Sequence, residues 1–437
     1  MQQKQNKIVL AWFTNDLRVQ DNSVLELAKE NHNNVIALYC FDPRHFEVTQ
    51  FGFKKTEKYR AKFLLQTVSD LKQNLTKQNI NLLTFFKKPE SVIPRLVEDY
   101  KIDDIYFQKE WTHEETTVVI NLKKLLPNHI KFYEVYNQFL YHPEDININT
   151  SDIPNVFTNF RQYVEKSINV RTKTKSINKN QIYIFTENTN IPTLEDLGFT
   201  DFETHNKSAF PFKGGETEAL NRLRNYLFET KKIGLYKKTR NGLIGVDYSS
   251  KFSPWLANGS LSARTIYWEI KHFESQYYKN DSTYWLIFEL IWRDYFKYIS
   301  LKHQNKIFTK GGILQKDYHW NRNTKAIKQW INGQTTEPFV NANMIELNKT
   351  GWMSNRGRQN VASYFAKELE IDWRIGAAYF ESLLIDYDVH SNYGNWMYVS
   401  GVGNDPRDRK FNIKLQAERY DNNGKYQKTW LQNTLFE

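Results

Sequence analysis

With 437 residues, 40% of them hydrophobic and 25% charged, the chain reads as a globular protein of two or three domains, and its single cysteine, Cys40, excludes an intrachain disulfide or a cysteine-based zinc site. No stretch approaches about 18 consecutive apolar residues, and no cleavage site follows the short apolar run of the N-terminus, which excludes a helical membrane span and a signal peptide and predicts a soluble, cytoplasmic protein. The formal net charge of +11 is uneven, with 26 Lys+Arg against 24 Asp+Glu in residues 1–200 and 34 against 25 in residues 201–437, so the second half suits either a polyanion or a solvated surface of basic bias.

In chain order, the first 140 residues alternate in type. KIVLAWF (7–13), NVIALYCF (34–41), INLLTFF (80–86), DDIYFQK (103–109) and IKFYEVY (130–136) are short, β-rich apolar runs. Helical-period stretches lie between them, such as residues 56–78, where Phe63, Leu64, Thr67, Val68 and Leu71 recur at spacings of three and four. Nearly continuous apolar strands alternating with helices predict a doubly wound parallel sheet, an α/β domain over residues 1–142. No G-x-G-x-x-G follows the first strand, where FTNDLRVQDN stands instead, so the usual dinucleotide-binding half is excluded. Residues 143–200, rich in Asn, Thr and Lys and weakly periodic, read as a connector. From about residue 215 helical patterning dominates, and residues 201–437 predict an all-α domain holding ten of the twelve tryptophans.

Four segments carry polar groups in suggestive patterns. In IDYDVHSNYGNWMY (385–398), Asp386, Asp388, His390 and Asn392 alternate like metal ligands. The calcium-loop template fails there, since His390, Ser391 and Met397 occupy its fifth, sixth and twelfth positions, and no further His or Cys partners stand nearby, so no metal is expected. In YSSKFSPWLANGSLSART (248–265), Ser249, Ser250 and Ser253 offer either helix caps or a phosphate cradle. Along YWLIFELIWRDYFKY (284–298), Trp285, Phe288, Trp292 and Tyr295 form an aromatic stripe, and Glu289 and Arg293 stand four apart, the spacing of an ion pair. In TGWMSNRGRQNVASYF (350–365), Asn355, Arg356, Arg358 and Gln359 crowd Gly357, a grouping able to grip phosphate or carboxylate.

Taken together these residues resemble the photolyase/cryptochrome family, most closely its DASH cryptochrome branch, over nearly the whole chain. WFTNDLRVQDN resembles the family's opening strand and turn, and YKKTRNGLIGVDYSSKFSPWLANGSLS, FELIWRDYF, GWMSNRGRQNVAS, EIDWRIGA and SNYGNWMYVSGVGNDPR match the DASH pattern. The resemblance implies a photolyase-like α/β domain and an all-α domain binding FAD. Tyr236, Ser249, Ser250, Phe252 and Ser253 would line its phosphates and ribityl chain. Glu289 and Arg293 would lie along the cavity, Asn355 and Arg358 would contact the cofactor with Arg358 paired to Asp386, Asp388 would meet the polar flavin edge, and Asn392 would face N5. The implied activity is blue-light-driven splitting of cyclobutane pyrimidine dimers by an electron from the reduced flavin, as a deoxyribodipyrimidine photo-lyase. Glu289, Trp292, Gln359 and Tyr398 match dimer-contacting positions, and Asn392 belongs with them as the residue tuning the flavin. Tyr398 stands where the double-strand-repairing branch has Trp, which implies a preference for single-stranded DNA.

By the same resemblance Trp396, Trp373 and Trp320 form an electron relay, and the antenna is 5,10-methenyltetrahydrofolate with Glu110 as its contact. The implied protein is a monomer that binds DNA and no membrane. Thr14 replaces the family's common Arg, and Glu337, Asn341 and Ile345 replace a small residue, Asp and Arg of the DASH pattern. His390 has no role in this reading. The alternative is a signalling photoreceptor with little repair; the end of the sequence after RYDNNGKYQKTWLQNTLFE, without a long tail, favours repair.

Overall fold

The computed structural model describes residues 7–176 and 187–432, so the middle of the Asn/Thr/Lys-rich stretch and the last five residues lie outside the described residues. The five apolar runs form β1 (Ile8–Phe13), β2 (Asn34–Cys40), β3 (Asn81–Phe85), β4 (Asp104–Gln108) and β5 (Lys131–Val135), all parallel in the order β3-β2-β1-β4-β5. Helices α1 (Ser23–Asn31), α2 (Lys58–Thr76), α3 (Pro89–Tyr100) and α4 (His113–Leu125) cover both faces. β1 divides its side chains between them by its period of two. Val9, Ala11 and Phe13 pack with Val24, Leu25, Val68 and Leu71, while Leu10 and Trp12 pack with Ile93, Leu96 and Leu122. Burial on both faces is why β1 to β4 read as nearly unbroken apolar runs, whereas β5 lies at the sheet edge with no buried residue. Chain order reverses between β1 and β4, the point where open α/β sheets present a crevice beyond their strand ends.

The stretch read as a connector holds a helix of its own, α5 (Phe157–Ser167), whose Phe157, Phe160 and Val164 enter the core of the helical part. That core gathers α6 (Glu216–Arg224), α7 (Tyr236–Thr239), α8 (Ser253–Ala257), α9 (Ala263–Gln276), α10 (Asp281–His303), α11 (Thr324–Ile331), α12 (Pro338–Thr350), α13 (Asn355–Ser363), α14 (Trp373–Leu383), α15 (Val389–Ser400), α16 (Ile413–Tyr420) and α17 (Lys425–Leu431). Its axis is α10, 23 residues long, started by an Asn280–Thr283 capping box and buried nearly all round in its second half.

The turn after β1 is bolted to the helical part. Arg18 donates to the carbonyls of Gly259 at 2.8 Å and Asn137 at 3.0 Å, and Asp21 pairs with Arg264 at 2.9 Å, both buried. Glu216 accepts the N–H groups of Val19 and Gln20, each at 2.8 Å. Gly259 has φ +73° and Asn15 O lies 1.9 Å from where a Cβ would stand, so only glycine admits this approach. FTNDLRVQDN is thus the join between sheet and helices.

Candidate functional site

The C-terminal ends of α10 and α14, the starts of α13 and α15, and the serine run converge on one polar region inside the helical part. Arg358 grips Asp386 through one nitrogen, 2.9 Å from each carboxylate oxygen, and donates from Nε to Met353 O at 2.9 Å. Ser354 caps α13 by accepting from Gly357 N at 2.9 Å, and Gly357 is obligatory because Asn343 Oδ1 sits 2.0 Å from a would-be Cβ. Asp388 caps α15, taking Ser391 N at 2.7 Å on one oxygen and the Lys297 ammonium at 3.1 Å on the other. Burial alone would raise the Asp388 carboxyl, but Lys297, then His390 and Arg293, outweigh it and hold the group well below the usual carboxylate range.

Asn392 is buried one turn into α15 and donates Nδ2 to Ala377 O at 3.0 Å. A carbonyl can only accept, so this bond fixes the amide's orientation and turns Oδ1 away as a free acceptor. The polar alternation of 386–392 therefore serves an ion pair, a helix cap and a buried amide. Among the described residues, no group of three or more His, Cys, Asp or Glu forms a metal site.

The serine run begins α8 with no side-chain cap, so among the described residues Ser249, Ser250 and Ser253 spend no hydroxyl on the helix. Between them Lys251 buries its ammonium without a hydrogen-bond partner, over the rings of Tyr248 at 3.2 Å and Trp352 at 4.7 Å. Burial drives its pKa well below the ordinary lysine value. Asn360 Oδ1 on α13 is a second buried orphan, and Tyr236 and Phe252 are buried nearby in the chain. A buried lysine nitrogen and a buried amide oxygen without partners are what an anionic, polar cofactor would satisfy, and the hydroxyls of half-buried Ser249, buried Ser250 and exposed Ser253 flank the lysine in the chain.

Glu289 and Arg293 do not pair with each other. Glu289 binds Arg240 on the segment after α7, and burial raises its carboxyl pKa against that partner's pull. Arg293 donates to Gln138 O at 2.6 Å and Leu256 O at 3.1 Å, tying α10 to the sheet side and to α8. Helical spacing alone suggested the i,i+4 pair; tertiary neighbours offered each a better partner. Further along this face Trp292 stacks on Phe157 at 3.6 Å and meets Tyr398 edge-on at 6.0 Å. Gln359 accepts from Arg356 at 2.8 Å, and Arg356 also reaches Asn241 at 3.1 Å, while Asn355 is exposed at the start of α13.

Trp396, Trp373 and Trp320, the tryptophans expected to form a relay, are buried on adjoining elements. Trp396 packs its six-membered ring on Gly376, where a Cβ would lie 2.2 Å from Cη2, and Gly376 is one turn along α14 from Trp373. Trp373 Nε1 donates to Lys310 O at 3.0 Å. The Asn321–Ile371 bridge carries Trp320 beside the start of α14. Indole nitrogens of Trp320 and Trp396 are buried without partners.

At the sheet's switch point Glu110 follows β4 and accepts from Gln108 at 2.7 Å and Gln138 at 3.4 Å. Thr14 Oγ1 and Gln108 Oε1 are buried orphans at the same strand ends. Trp111 stacks between His390 at 4.5 Å and Phe139 at 5.4 Å, and its indole N–H reaches Ser300 Oγ at 2.7 Å, which is 2.7 Å from His390 Nδ1. His390, without a role in the sequence, is a wall between α15 and the sheet. The departures at 337–345 are absorbed locally: Asn341 makes hydrogen bonds of 2.7–2.9 Å with Thr335, and Ile345 packs against Gly333. Sequence reading missed Arg240, Lys251 and Lys297; all three stand inside or beside the matched motifs, and Lys297 is four residues beyond Arg293 on α10.

Residues 9–178 match the family described as DNA photolyase, and residues 285–434 match the FAD binding domain of DNA photolyase. The chain belongs to the photolyase/cryptochrome family. It is 46% identical over 433 residues to a cryptochrome DASH of Danio rerio, covering 98% of this chain and 83% of that one. Another, from Gloeobacter violaceus, is 46% identical over 427 residues, covering 97% and 85%. A solved Synechocystis cryptochrome superposes with a TM-score of 0.92 at 46% identity, over 97% of this chain and 88% of the other. A class III photolyase of Agrobacterium tumefaciens superposes at 0.83 with 25% identity, over 98% and 87%. Within the family, the chain belongs to the DASH cryptochrome branch.

Proposed function

We propose that this protein splits cyclobutane pyrimidine dimers in DNA under blue light, acting best on single strands. The observation that carries the reading is the continuity of polar region, aromatic face and tryptophan path within one helical core. Residues 201–437 would be the FAD-binding catalytic domain, 1–142 the antenna domain and 143–200 the connection. When bound, the flavin supplies the photochemistry, lending the dimer an electron that returns once the ring has opened. Ser249, Ser250, Ser253, Tyr236 and Phe252 would hold its phosphates and ribityl chain. Lys251, Arg293, Asn355 and Arg358 would supply cationic and amide contacts around it. Asp386 keeps Arg358 in place, Asp388 would meet the polar flavin edge, and Asn392 would present its free amide oxygen at N5.

On the substrate side Trp292 and Tyr398 would stack the dimer, with Glu289 and Gln359 binding its polar edges. Stacking on an aromatic ring is worth roughly 1–3 kcal/mol per base. Flipping a dimer out of a duplex costs a few kcal/mol. Tyrosine at 398, offering a smaller face than tryptophan, leaves that cost less well covered, which favours single strands. Exposed Lys237, Lys238, Arg407 and Arg409 would track the phosphates. Trp396, Trp373 and Trp320 would refill the flavin with electrons from the surface. The orphans at the switch point support an antenna there, and we assign 5,10-methenyltetrahydrofolate held through Glu110.

The test is repair of dimer-containing single- and double-stranded oligonucleotides by the FAD-loaded protein in blue light. We expect faster repair of the single strand. Absence of light-dependent repair of either strand, with FAD bound and reducible, overturns the reading and leaves a photoreceptor. Extraction of the bound chromophores identifies the antenna; release of a second flavin, as described for an archaeal photolyase of Sulfolobus tokodaii, would overturn the folate assignment.

A further inference from the structure

At the sheet's switch point a histidine and a glutamate turn hydrogen-bond acceptors toward each other. Ser300 Oγ takes the indole N–H of Trp111 at 2.7 Å and stands 2.8 Å from Lys297 O and 2.7 Å from His390 Nδ1. An indole only donates and a carbonyl only accepts. The three contacts are therefore hydrogen bonds together only if the hydroxyl proton goes to Lys297 O and His390 carries its proton on Nδ1. Stacking on Trp111 at 4.5 Å, 17° from parallel, holds the imidazole in that orientation. In the neutral ring Nε2 then turns its lone pair toward Glu110 Oε2, 4.0 Å away. The Glu110 carboxylate is fixed in turn, taking Gln108 Nε2 at 2.7 Å on Oε1 and Gln138 Nε2 at 3.4 Å on Oε2. The amide that grips it leaves its own oxygen, Gln108 Oε1, buried without a partner.

Resting on the antenna assignment, we propose that His390 is a second binding residue of the antenna site. His390 Nε2 and Glu110 Oε2 together take the two hydrogens of an exocyclic amino group, which selects an aminopyrimidine ring, as in a folate, over a flavin. Acceptors 4.0 Å apart cannot bond to each other and are near enough for one nitrogen to reach both. The pyrimidine edge of a flavin carries one N–H between two carbonyls, so it would set oxygen against these acceptors and leave them unpaired. Gln108 Oε1, on the amide that holds Glu110, is a further acceptor for a ring N–H. The surroundings keep the imidazole neutral. Burial lowers its pKa below the ordinary histidine value and the Lys297 ammonium lowers it further, while the Glu110 and Asp388 carboxylates pull the other way without prevailing. Lys297 is kept beside the ring by Asp388 at 3.1 Å. Protonation would put a hydrogen on Nε2, pair the imidazolium with Glu110 and take both acceptors from the ligand.

Binding of 5,10-methenyltetrahydrofolate to the FAD-loaded protein, followed by absorbance, tests this together with nitrogen-15 resonances of labelled histidine. We expect His390 to carry its proton on Nδ1. Folate affinity should fall as pH is lowered from about 7.5 to about 5 through the His390 pKa, by up to about tenfold per unit. His390→Phe keeps the stack on Trp111 and removes the acceptor. It should bind the folate about tenfold more weakly, the factor for one hydrogen bond of ordinary net strength, and lose the pH dependence. His390→Gln, which keeps an acceptor and cannot take up a proton, should recover the affinity without the pH dependence. If the wild type takes up no folate, or Glu110→Gln binds it with unchanged affinity, the antenna assignment falls and the proposal with it. If Glu110→Gln weakens binding while His390→Phe matches the wild type at every pH, or if the ring proton sits on Nε2, the assignment stands and His390 is excluded.

Discussion

Replacing Asn392 by Asp exchanges an amide for a carboxyl of equal size at a buried site, and the consequences can be worked from two contacts. The Nδ2 donor 3.0 Å from Ala377 O disappears, and the new group stands one turn after the Asp388 carboxylate on α15. Protonated, the acid can still donate to Ala377 O; ionised, it opposes that carbonyl and leaves it unsatisfied, at about 1–3 kcal/mol. Burial and the neighbouring carboxylate raise the folded-state pKa above the ordinary value of about 3.9. A raised carboxyl pKa means the variant keeps its stability below about pH 4 and loses it as pH rises through the folded value, by up to 1.36 kcal/mol per unit. For a shift of about two units the plateau loss is about 2–3 kcal/mol. Urea unfolding of Asn392→Asp and wild type from about pH 4.5 to 8 measures the difference directly. A gap that does not change over that range would refute the placement of Asn392 against Ala377 and Asp388. Spectra of the FAD-loaded variant in blue light provide the second reading, since a changed group at N5 should alter which reduced flavin persists; unchanged spectra would remove Asn392 from N5.

Asp386→Asn leaves the Arg358 guanidinium without its anion, and should cost about 3–5 kcal/mol of stability and weaken FAD retention, measured by chemical denaturation and by flavin release on dilution. Gly376→Ala places a methyl 2.2 Å from Trp396 Cη2, so an overpacking loss of about 1–3 kcal/mol in unfolding free energy should accompany slower photoreduction as the ring proposed to open the relay is displaced. Burial raises the Glu216 carboxyl to about 7, so wild-type stability should fall as pH rises from about 4.5 through 7, by up to 1.36 kcal/mol per unit from this group. Glu216→Gln should flatten that slope in thermal melts, and an unchanged slope would assign it to other buried carboxyls such as Glu346.

Strands β1 to β4 were legible in the amino-acid sequence because they are buried on both faces and so read as apolar runs whatever their neighbours, while the edge strand β5, with no buried residue, was carried by its β-rich composition. The axis helix α10 was legible because its local pattern and its burial agree. Motif likeness carried the family, and the Arg358–Asp386 pair with it. Partner choice was different. Glu289 to Arg240 and Asp388 to Lys297 join residues 49 and 91 positions apart. An ion pair at that range is set by where packing delivers the two elements, and local spacing pointed Glu289 to the wrong arginine. Nor does composition reveal that Gly259 and Gly376 are spacers, since their need arises only when Asn15 and Trp396 arrive against them. The sequence by itself determined the layers, the family and the roster of polar and aromatic groups. Tertiary structure alone decided which charges neutralise one another and which polar atoms are left without partners.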